Sequence, residues 1–192
     1  QEFWDMIQSD FMKMMHIFFR NGILPKGLNP QFLVLLPKTE AADTLSSLRL
    51  VALVNTAYKN MSKVLAIRLS TIIGKVVSPN QYGFVHGRKI QDCLLTASEC
   101  INLMRIPAKT GCIAHKLDVR NAFDTINWDF MIGVLHRFGF SVYFNDMILS
   151  LFKDVRISAL INGSPEGYVS CSCGIRQGGH LSAIPFSIAE DY

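Results

Sequence analysis

Long apolar runs are missing from this sequence of 192 residues. No stretch approaches the roughly 18 apolar residues that a membrane-spanning helix needs. The longest apolar segments, 32–37 and 155–161, have the length of β-strands. The first residues include Glu2 and Asp5 and lack the basic region and apolar block of a signal peptide. We therefore expect no membrane partner and no secretory leader in this stretch.

Cysteine is scarce and irregularly spaced. The chain has five, Cys93, Cys100, Cys112, Cys171 and Cys173. An odd number without regular spacing argues against a disulfide framework and predicts a reducing compartment. Cys171 and Cys173 could form half of a zinc site, but no second close pair accompanies them. Buried or incidental thiols are the preferred interpretation.

Charge is also sparse. Charged residues make up 18% of the chain against 49% hydrophobic residues, and the net charge is only +4. This balance excludes a disordered chain, and it permits a nucleic-acid partner without requiring one. The length fits one ordinary domain, and there are no internal repeats. Because the sequence begins without Met and ends inside an apolar pattern at Tyr192, we expect both ends to be cuts.

The spacing of the apolar residues predicts an α+β fold. Helical spacing covers 4–18, 56–76, 90–104, 128–138, 144–152 and 181–190. Strands are predicted over 32–36, 112–119, 155–161 and 168–172, and Asn162-Gly163 is typical of a hairpin turn. We divide the chain into a helical N-terminal extension (1–30), a middle region (31–111) and a final region (112–192).

The strand predicted over 112–119 carries Asp118 close to its end. A carboxylate in that position can reach a cleft while its backbone stays rigid, and such an oxygen ligand suits Mg²⁺. Two Mg²⁺ ions about 3.5–4 Å apart stabilise the attacking and leaving oxygens of phosphoryl transfer, but one aspartate cannot hold both. The alternative interpretation is that Asp118 and Asp124 are ordinary turn or helix-capping residues.

Six stretches, in order, resemble the reverse transcriptases of non-LTR (LINE-like) retrotransposons, especially those of plants. One of them, Asp118-Val-Arg-Asn-Ala-Phe123-Asp124 followed by Trp128-Asp-Phe, resembles the first catalytic motif. The others are Leu24-Pro-Lys26 with Val34-Leu-Leu-Pro37-Lys38, Leu48-Arg49-Leu-Val-Ala-Leu53, Tyr58 to Leu69, Ser78 to Arg88 with Asp92, and Gly174-Ile-Arg176-Gln177-Gly178 to Ser182. The resemblance covers nearly the whole chain, and six matches in order are far more specific than one.

The resemblance implies a partial right-hand polymerase in which 31–111 are fingers and 112–192 an incomplete palm. Asp118 is then the catalytic residue, and it ligates Mg²⁺ together with the carbonyl of Val119. Phe123 lies under the sugar of the incoming dNTP, where a bulky ring clashes with a 2′-OH. The alternative for Phe123 is a half-buried core aromatic.

The remaining site residues also follow from the resemblance. Arg49 and Lys59 approach the triphosphate as cations, or else belong to a solvated basic face. Gln177 lies closest to the nascent base pair. Gly87 and Arg88 contact the template backbone.

The sequence departs from the family pattern in several places. The aromatic-Ala-Asp-Asp hairpin that supplies further metal ligands is not reached, and Ala189-Glu190-Asp191-Tyr192 follows Leu181 too closely to replace it. Six positions also carry unusual residues: Leu50, His86, Gly179, His180, Ala183 and Pro185. These departures predict a truncated, decayed copy.

The main hypothesis is therefore a fragment of an RNA-directed DNA polymerase that is inactive by itself. Its parent would use Mg²⁺, an RNA template, a DNA primer and dNTPs. The resemblance implies an intracellular, nuclear location, and the oligomeric state stays open. Alternatives are a non-catalytic RNA- or DNA-binding remnant, a group II intron maturase, and a helical interaction domain with accidental motifs.

Overall fold

The computed structural model describes residues 2–40, 43–44, 47–106, 111–119, 121–176 and 179–192. The helices in these ranges are α1 (Trp4–Asn21), α2 (Thr56–Ser70), α3 (Ile73–Val76), α4 (Ile90–Met104), α5 (Ala122–Thr125), α6 (Trp128–Arg137), α7 (Val142–Phe152) and α8 (Ala183–Asp191). The strands are β1 (Gln31–Pro37), β2 (Leu48–Val54), β3 (Arg156–Ile161) and β4 (Ser164–Ser170). The α+β prediction is confirmed.

Local signals set the ends of the principal helices. Gly22 ends α1 with a φ of 71°, and its N–H donates to the Phe18 carbonyl at 2.9 Å. The side chain of Asn55 begins α2 by accepting a hydrogen bond from the Ala57 N–H at 2.8 Å. The asparagine at 127 caps α6 in the same way, through two backbone amides. These caps explain why the predicted helices form close to the predicted positions.

The four strands form one sheet in the order β2-β1-β3-β4. Strand β1 pairs antiparallel with β2 and parallel with β3, and β3 and β4 form an antiparallel hairpin. Asn162 and Gly163 have φ values of 52° and 83°, as a tight hairpin turn requires. The predicted hairpin is confirmed, but its returning strand covers Ser164–Ser170 and not the predicted 168–172.

Alternation along the strands gives the sheet two different faces. Leu33, Ala52 and Ile157 share the face that meets the helical part of the molecule. Phe32 and Leu53 lie on the other face, where they are 45% and 46% exposed. The sheet is therefore packed on one side more fully than on the other.

The core lies chiefly among the helices. Its largest fully buried side chains include Met61, Leu65 and Leu69 from α2, Met131 and Leu135 from α6, Ile148, Leu151 and Phe152 from α7, and Ile188 from α8. Pro185 falls in the first turn of α8 and is buried there, where a proline costs little because its missing N–H has no helical acceptor.

The strand predicted over 112–119 is wrong. Residues 111–119 form no strand, and Ile113 and Leu117 are 81% and 89% exposed. Alternation identifies a segment that suits a sheet, but a strand forms only where a neighbouring strand accepts its hydrogen bonds. The preceding helix α4 forms as predicted, yet none of its residues is buried.

Two further boundaries differ from the prediction. The helix predicted over 56–76 is divided into α2 and α3 at Thr71 and Ile72. Strand β2 was not predicted as a strand, because Leu48–Val54 is apolar almost throughout and lacks an alternating pattern. Among the described helices, none is both long and apolar enough to span a bilayer.

Candidate functional site

Asp118 lies in an exposed segment that has no regular structure. The neighbouring Val119 is 62% exposed. The carboxylate therefore faces solvent and is not sealed in apolar packing, so it can be reached by a cation. Its role as a catalytic residue and metal ligand stays a prediction.

A tight turn separates Asp118 from the residues that follow it. Asn121 adopts a left-handed conformation with φ 51° and ψ 42°, which asparagine tolerates better than most residues. Its carbonyl accepts a hydrogen bond from the Asp124 N–H at 2.8 Å. The turn begins the four-residue helix α5, which presents Phe123.

Backbone hydrogen bonds join this turn to the loop at 171–176. The Gly174 N–H donates to the Ile126 carbonyl at 2.8 Å, and the Ile175 N–H donates to the Phe123 carbonyl at 2.6 Å. The indole N–H of Trp128 donates to the Gly174 carbonyl at 2.7 Å. We call these three bonds the Gly174 contact. It brings together two of the stretches that resemble reverse transcriptases.

The residue at the centre of the Gly174 contact has to be glycine. Gly174 has a φ of +86°, which side chains disfavour. A Cβ atom added there would lie 2.7 Å from the Asp124 carbonyl oxygen and 3.1 Å from its carbon. Because both atoms belong to the backbone, no rotation of a side chain could relieve the overlap.

The Phe123 ring is half-buried and stacks on Phe186 of α8. The two ring centroids are 4.6 Å apart and the planes differ by 24°. Phe123 is thus held by its backbone in the Gly174 contact and by its ring against α8. This packing fits both the predicted sugar contact and the alternative of a core aromatic.

A cavity of about 200 Å³ lies beside the Gly174 contact. Leu50 and Ala52 of β2 line one side, and Asp124 and Trp128 line another. Arg49 lies next to Leu50 in the strand, so its side chain points to the opposite face of the sheet. The structure therefore does not bring Arg49 into this cavity.

Arg176 also lines the cavity and is almost completely buried, with 7% exposure. Its guanidinium lies 3.9 Å from the centroid of the Tyr58 ring, and its Nη2 donates to the Asn29 carbonyl oxygen at 3.3 Å and to the Asn29 side chain. Burial lowers the pKa of Arg176 and raises the pKa of the Tyr58 phenol, while their proximity opposes both shifts. Arg176 thus links the 171–176 loop to α2 and to the segment before β1.

The buried position of Arg176 cannot be predicted from its place in the Gly174-Ile-Arg176-Gln177 stretch, because arginines are usually exposed. Nothing in the local pattern identifies Tyr58, more than one hundred positions earlier, as the ring beneath it.

Arg88 is engaged inside the protein. Its guanidinium donates to the carbonyls of Ser78 and Gln81, and to that of Gly74 at 3.1 Å. The preceding Gly87 is exposed and has a φ of 84°. These bonds close the turn that follows α3, and the predicted contact of Gly87 and Arg88 with a template stays a prediction.

The other predicted nucleotide-binding residues are not gathered at the cavity. Lys59 is exposed on α2 and, like Arg49, is not among the described residues that line it. Gln177 lies outside the described residues. Their predicted contacts with a nucleotide stay untested.

Asp191 is hydrogen-bonded to Ser78, which lies 113 positions earlier in the chain. Its two carboxylate oxygens accept hydrogen bonds from the N–H and the hydroxyl of Ser78, at 2.7 and 2.6 Å. This arrangement joins α8 to the turn after α3. The interpretation that Ala189 to Tyr192 is not the catalytic pair stays a prediction.

Comparison with known protein sequences identifies the family of this chain. Residues 36–192 match the protein family described as "Reverse transcriptase (RNA-dependent DNA polymerase)". The chain belongs to this family. The matched range includes Asp118, the residues of the Gly174 contact and Arg176.

Curated relatives are proteins of non-LTR retrotransposons. The chain is 29% identical over 191 residues to "Transposon TX1 uncharacterized 149 kDa protein" of Xenopus laevis, covering 98% of this chain and 14% of that protein. It is 26% identical over 183 residues to the "Retrovirus-related Pol polyprotein from type-2 retrotransposable element R2DM" of Drosophila melanogaster, covering 94% and 17%. A type-1 R2 polyprotein of Popillia japonica is 30% identical over 91 residues, covering 47% and 15%. The chain therefore spans less than a fifth of the length of these relatives in each alignment.

Proposed function

We propose that this chain is the fingers and part of the palm of an RNA-directed DNA polymerase, with fingers over 31–111 and palm over 112–192. The observation that carries the proposal is the Gly174 contact. It joins the turn after Asp118 to the loop before Gln177, and both stretches resemble the reverse-transcriptase motifs in which these residues act on one nucleotide.

The proposed substrates are a dNTP and a DNA primer on an RNA template. Phe123 would lie beside the sugar, and Gln177 would lie near the nascent base pair. Arg49 and Lys59 would approach the triphosphate, and Arg88 with Gly87 would support the template. Because Arg49 lies on the opposite face of the sheet from the cavity, its proposed contact requires the nucleotide to extend beyond the cavity.

The residues present fit Mg²⁺ in the chemistry of their donors. The exposed carboxylate of Asp118 and the carbonyl of Val119 are hard oxygen ligands, which Mg²⁺ prefers, and Mg²⁺ usually needs few ligands from a protein. When bound, the ion would stabilise negative charge on the phosphates. In the described part of the chain, no three His, Cys, Asp or Glu side chains converge on one point. Because one aspartate cannot hold two Mg²⁺ ions, we expect no primer extension by the 192-residue chain alone.

Equilibrium binding tests the proposed site without requiring catalysis. We expect the purified chain to bind a dNTP in the presence of Mg²⁺, and we expect Asp118→Asn to weaken that binding at least fivefold (about 1 kcal/mol), because a charged oxygen ligand is lost. The matched control is Asp10→Asn, which removes an exposed carboxylate of α1 that pairs only with nearby Lys13. Equal binding by both variants would contradict the role of Asp118.

Primer extension on an RNA template tests the second part of the proposal. Extension that requires Mg²⁺ and disappears in Asp118→Ala would support the polymerase and overturn the expectation of inactivity. An absence of both nucleotide binding and extension would contradict the nucleotide site itself.

A non-catalytic nucleic-acid-binding remnant is the second candidate. Helix α2 buries Met61 and Leu65 while Lys59 and Lys63, one helical turn apart, remain exposed, so part of its exposed surface is basic. Such a face would give RNA binding that weakens steeply as salt rises. Filter binding at low salt distinguishes the two candidates, because a remnant binds RNA but does not bind a dNTP in a manner that depends on Asp118.

A further inference from the structure

Trp128 is placed to control the position of Phe123. It begins α6, is only 9% exposed, and donates its indole N–H to the Gly174 carbonyl at 2.7 Å. A buried indole N–H generally requires such a partner, because losing water without a replacement bond is costly. The two residues are 46 positions apart, so this bond ties the start of α6 to the 171–176 loop.

The same loop holds the backbone of Phe123. The amide of Gly174 donates to Ile126, and the amide of Ile175 donates to Phe123. Gly174 therefore receives the Trp128 bond at its carbonyl, while its own amide and the next one hold the turn that carries Phe123.

Gly174 has little free space towards Asp124, although both residues also line the cavity of about 200 Å³. A Cβ at Gly174 would already overlap the Asp124 backbone, so the two backbones touch at van der Waals distance. Groups in van der Waals contact transmit displacement to each other along the direction of that contact. A movement of Gly174 should therefore move the 123–126 backbone as well.

The ring of Phe123 has a second support, the stacked ring of Phe186 on α8. The backbone position depends on the Gly174 contact, and the tilt of the ring depends on Phe186. A ring that excludes a 2′-OH by steric overlap must be held to within a fraction of an ångström, because repulsion rises steeply with approach.

We propose that Trp128 is a positioning residue that sets Phe123 through Gly174 and so determines discrimination between deoxyribonucleotides and ribonucleotides. The inference rests on the proposed nucleotide site. It goes beyond that site by assigning specificity to a residue that does not contact the nucleotide.

The test is the ratio of the dissociation constants for GTP and dGTP, each measured with Mg²⁺. We expect Trp128→Phe, which keeps an aromatic ring but removes the N–H donor, to lower this ratio about fivefold, mainly through tighter binding of GTP. The chain has only two tryptophans, so Trp4→Phe is the matched control. Trp4 is 42% exposed and packs on Phe11 of its own helix, and this variant should keep the parental ratio.

A stability control separates positioning from general loosening of the fold. Leu69→Ala removes a buried side chain of α2 that is not part of the Gly174 contact. It should lower the unfolding temperature at least as much as Trp128→Phe while keeping the ratio. A lower ratio in Leu69→Ala would overturn the proposal, because specificity would then follow overall stability.

A second experiment combines tryptophan fluorescence, which does not depend on nucleotide binding, with the same ratio of dissociation constants. In the Trp4→Phe background Trp128 is the sole tryptophan, and its emission should be that of a buried indole. Adding Phe186→Leu should leave this emission unchanged but lower the GTP-to-dGTP ratio, because it removes the ring support without touching the indole bond. An unchanged ratio in Phe186→Leu and in Trp128→Phe would overturn the proposal.

The outcomes distinguish a failure of the positioning role of Trp128 from a failure of the proposed nucleotide site. If the parent chain prefers dGTP and Trp128→Phe keeps the full preference, only the inference is wrong. If the parent chain does not bind dGTP or does not prefer it to GTP, the proposed nucleotide site is wrong and the inference falls with it.

Discussion

Two regions on either side of Asp118 differ sharply in how they are held. After Asp118, residues 121–128 are tied by three hydrogen bonds to the 171–176 loop, and Phe123 stacks on α8. Before it, α4 buries none of its residues, and Leu94 and Leu117 are 65% and 89% exposed. Both regions have an apolar pattern, but within the described structure only the region after Asp118 contains a buried residue, Trp128. An apolar pattern therefore indicates the capacity to pack, and the contacts decide whether that capacity contributes to stability.

The largest expected loss of stability comes from a substitution at the centre of the Gly174 contact. Gly174→Ala places a side chain at a positive φ and against the Asp124 backbone, and we expect it to lower the free energy of unfolding by about 3 kcal/mol. Urea denaturation followed by circular dichroism measures this loss.

The matched control for that change is Gly133→Ala. Gly133 lies inside α6, and a Cβ added there meets nothing within 4 Å. Alanine should stabilise the helix by about 0.5–1 kcal/mol. Equal effects of the two substitutions would mean that the Gly174 contact does not constrain the loop.

A smaller effect on the free energy of unfolding should appear at high pH. It comes from Tyr58, the α2 residue on which Arg176 of the 171–176 loop packs. Burial raises the pKa of Tyr58 above its ordinary value of 10.0. The unfolded chain then loses the phenolic proton at a lower pH than the folded chain, so stability is fully present below pH 10.0 and falls as pH rises through the raised value. The slope is at most about 1.4 kcal/mol per pH unit.

Unfolding midpoints in urea between pH 9 and pH 11.5 test this dependence. Tyr58→Phe should flatten it, whereas Tyr168→Phe should not, because Tyr168 is 61% exposed. A parent chain whose stability does not fall faster than that of Tyr58→Phe would show that Tyr58 is not buried in solution.

The smallest effect should come from the exposed region. Leu94→Gln on α4 should change the free energy of unfolding by less than about 0.5 kcal/mol, because the side chain gives up little burial. Leu65→Ala, at a fully buried position of α2, should cost about 2–5 kcal/mol. A large loss in Leu94→Gln would show that α4 packs against the protein in solution, and the contrast between the regions would disappear.

Much of the fold could be predicted because its signals are local. Gly22 ends α1 within its own turn, and Asn162-Gly163 closes a hairpin between adjacent strands. The prediction failed over 112–119, where the pattern suits a strand but no neighbouring strand is present in the described structure. It also missed the break between α2 and α3, because the apolar spacing continues across Thr71.

The candidate site could be predicted only in part. The stretches that resemble reverse transcriptases were identified in order, and the family is confirmed. The metal, nucleotide and template roles stay predictions, as do the plant origin, the nuclear location and the division into 1–30, 31–111 and 112–192. The positions of Arg88 and Arg176 could not be predicted, because each depends on carbonyls or a ring contributed by other parts of the chain.

The principal helices, the hairpin and membership of the reverse transcriptase family follow from residue types within a short span or from their order along the chain. The need for glycine at 174, the partner of Trp128 46 residues away and the burial of Arg176 on Tyr58 become visible only in the folded protein. The reason is physical. Short-range spacing sets which local structures can form, whereas steric exclusion and burial depend on which distant residues meet.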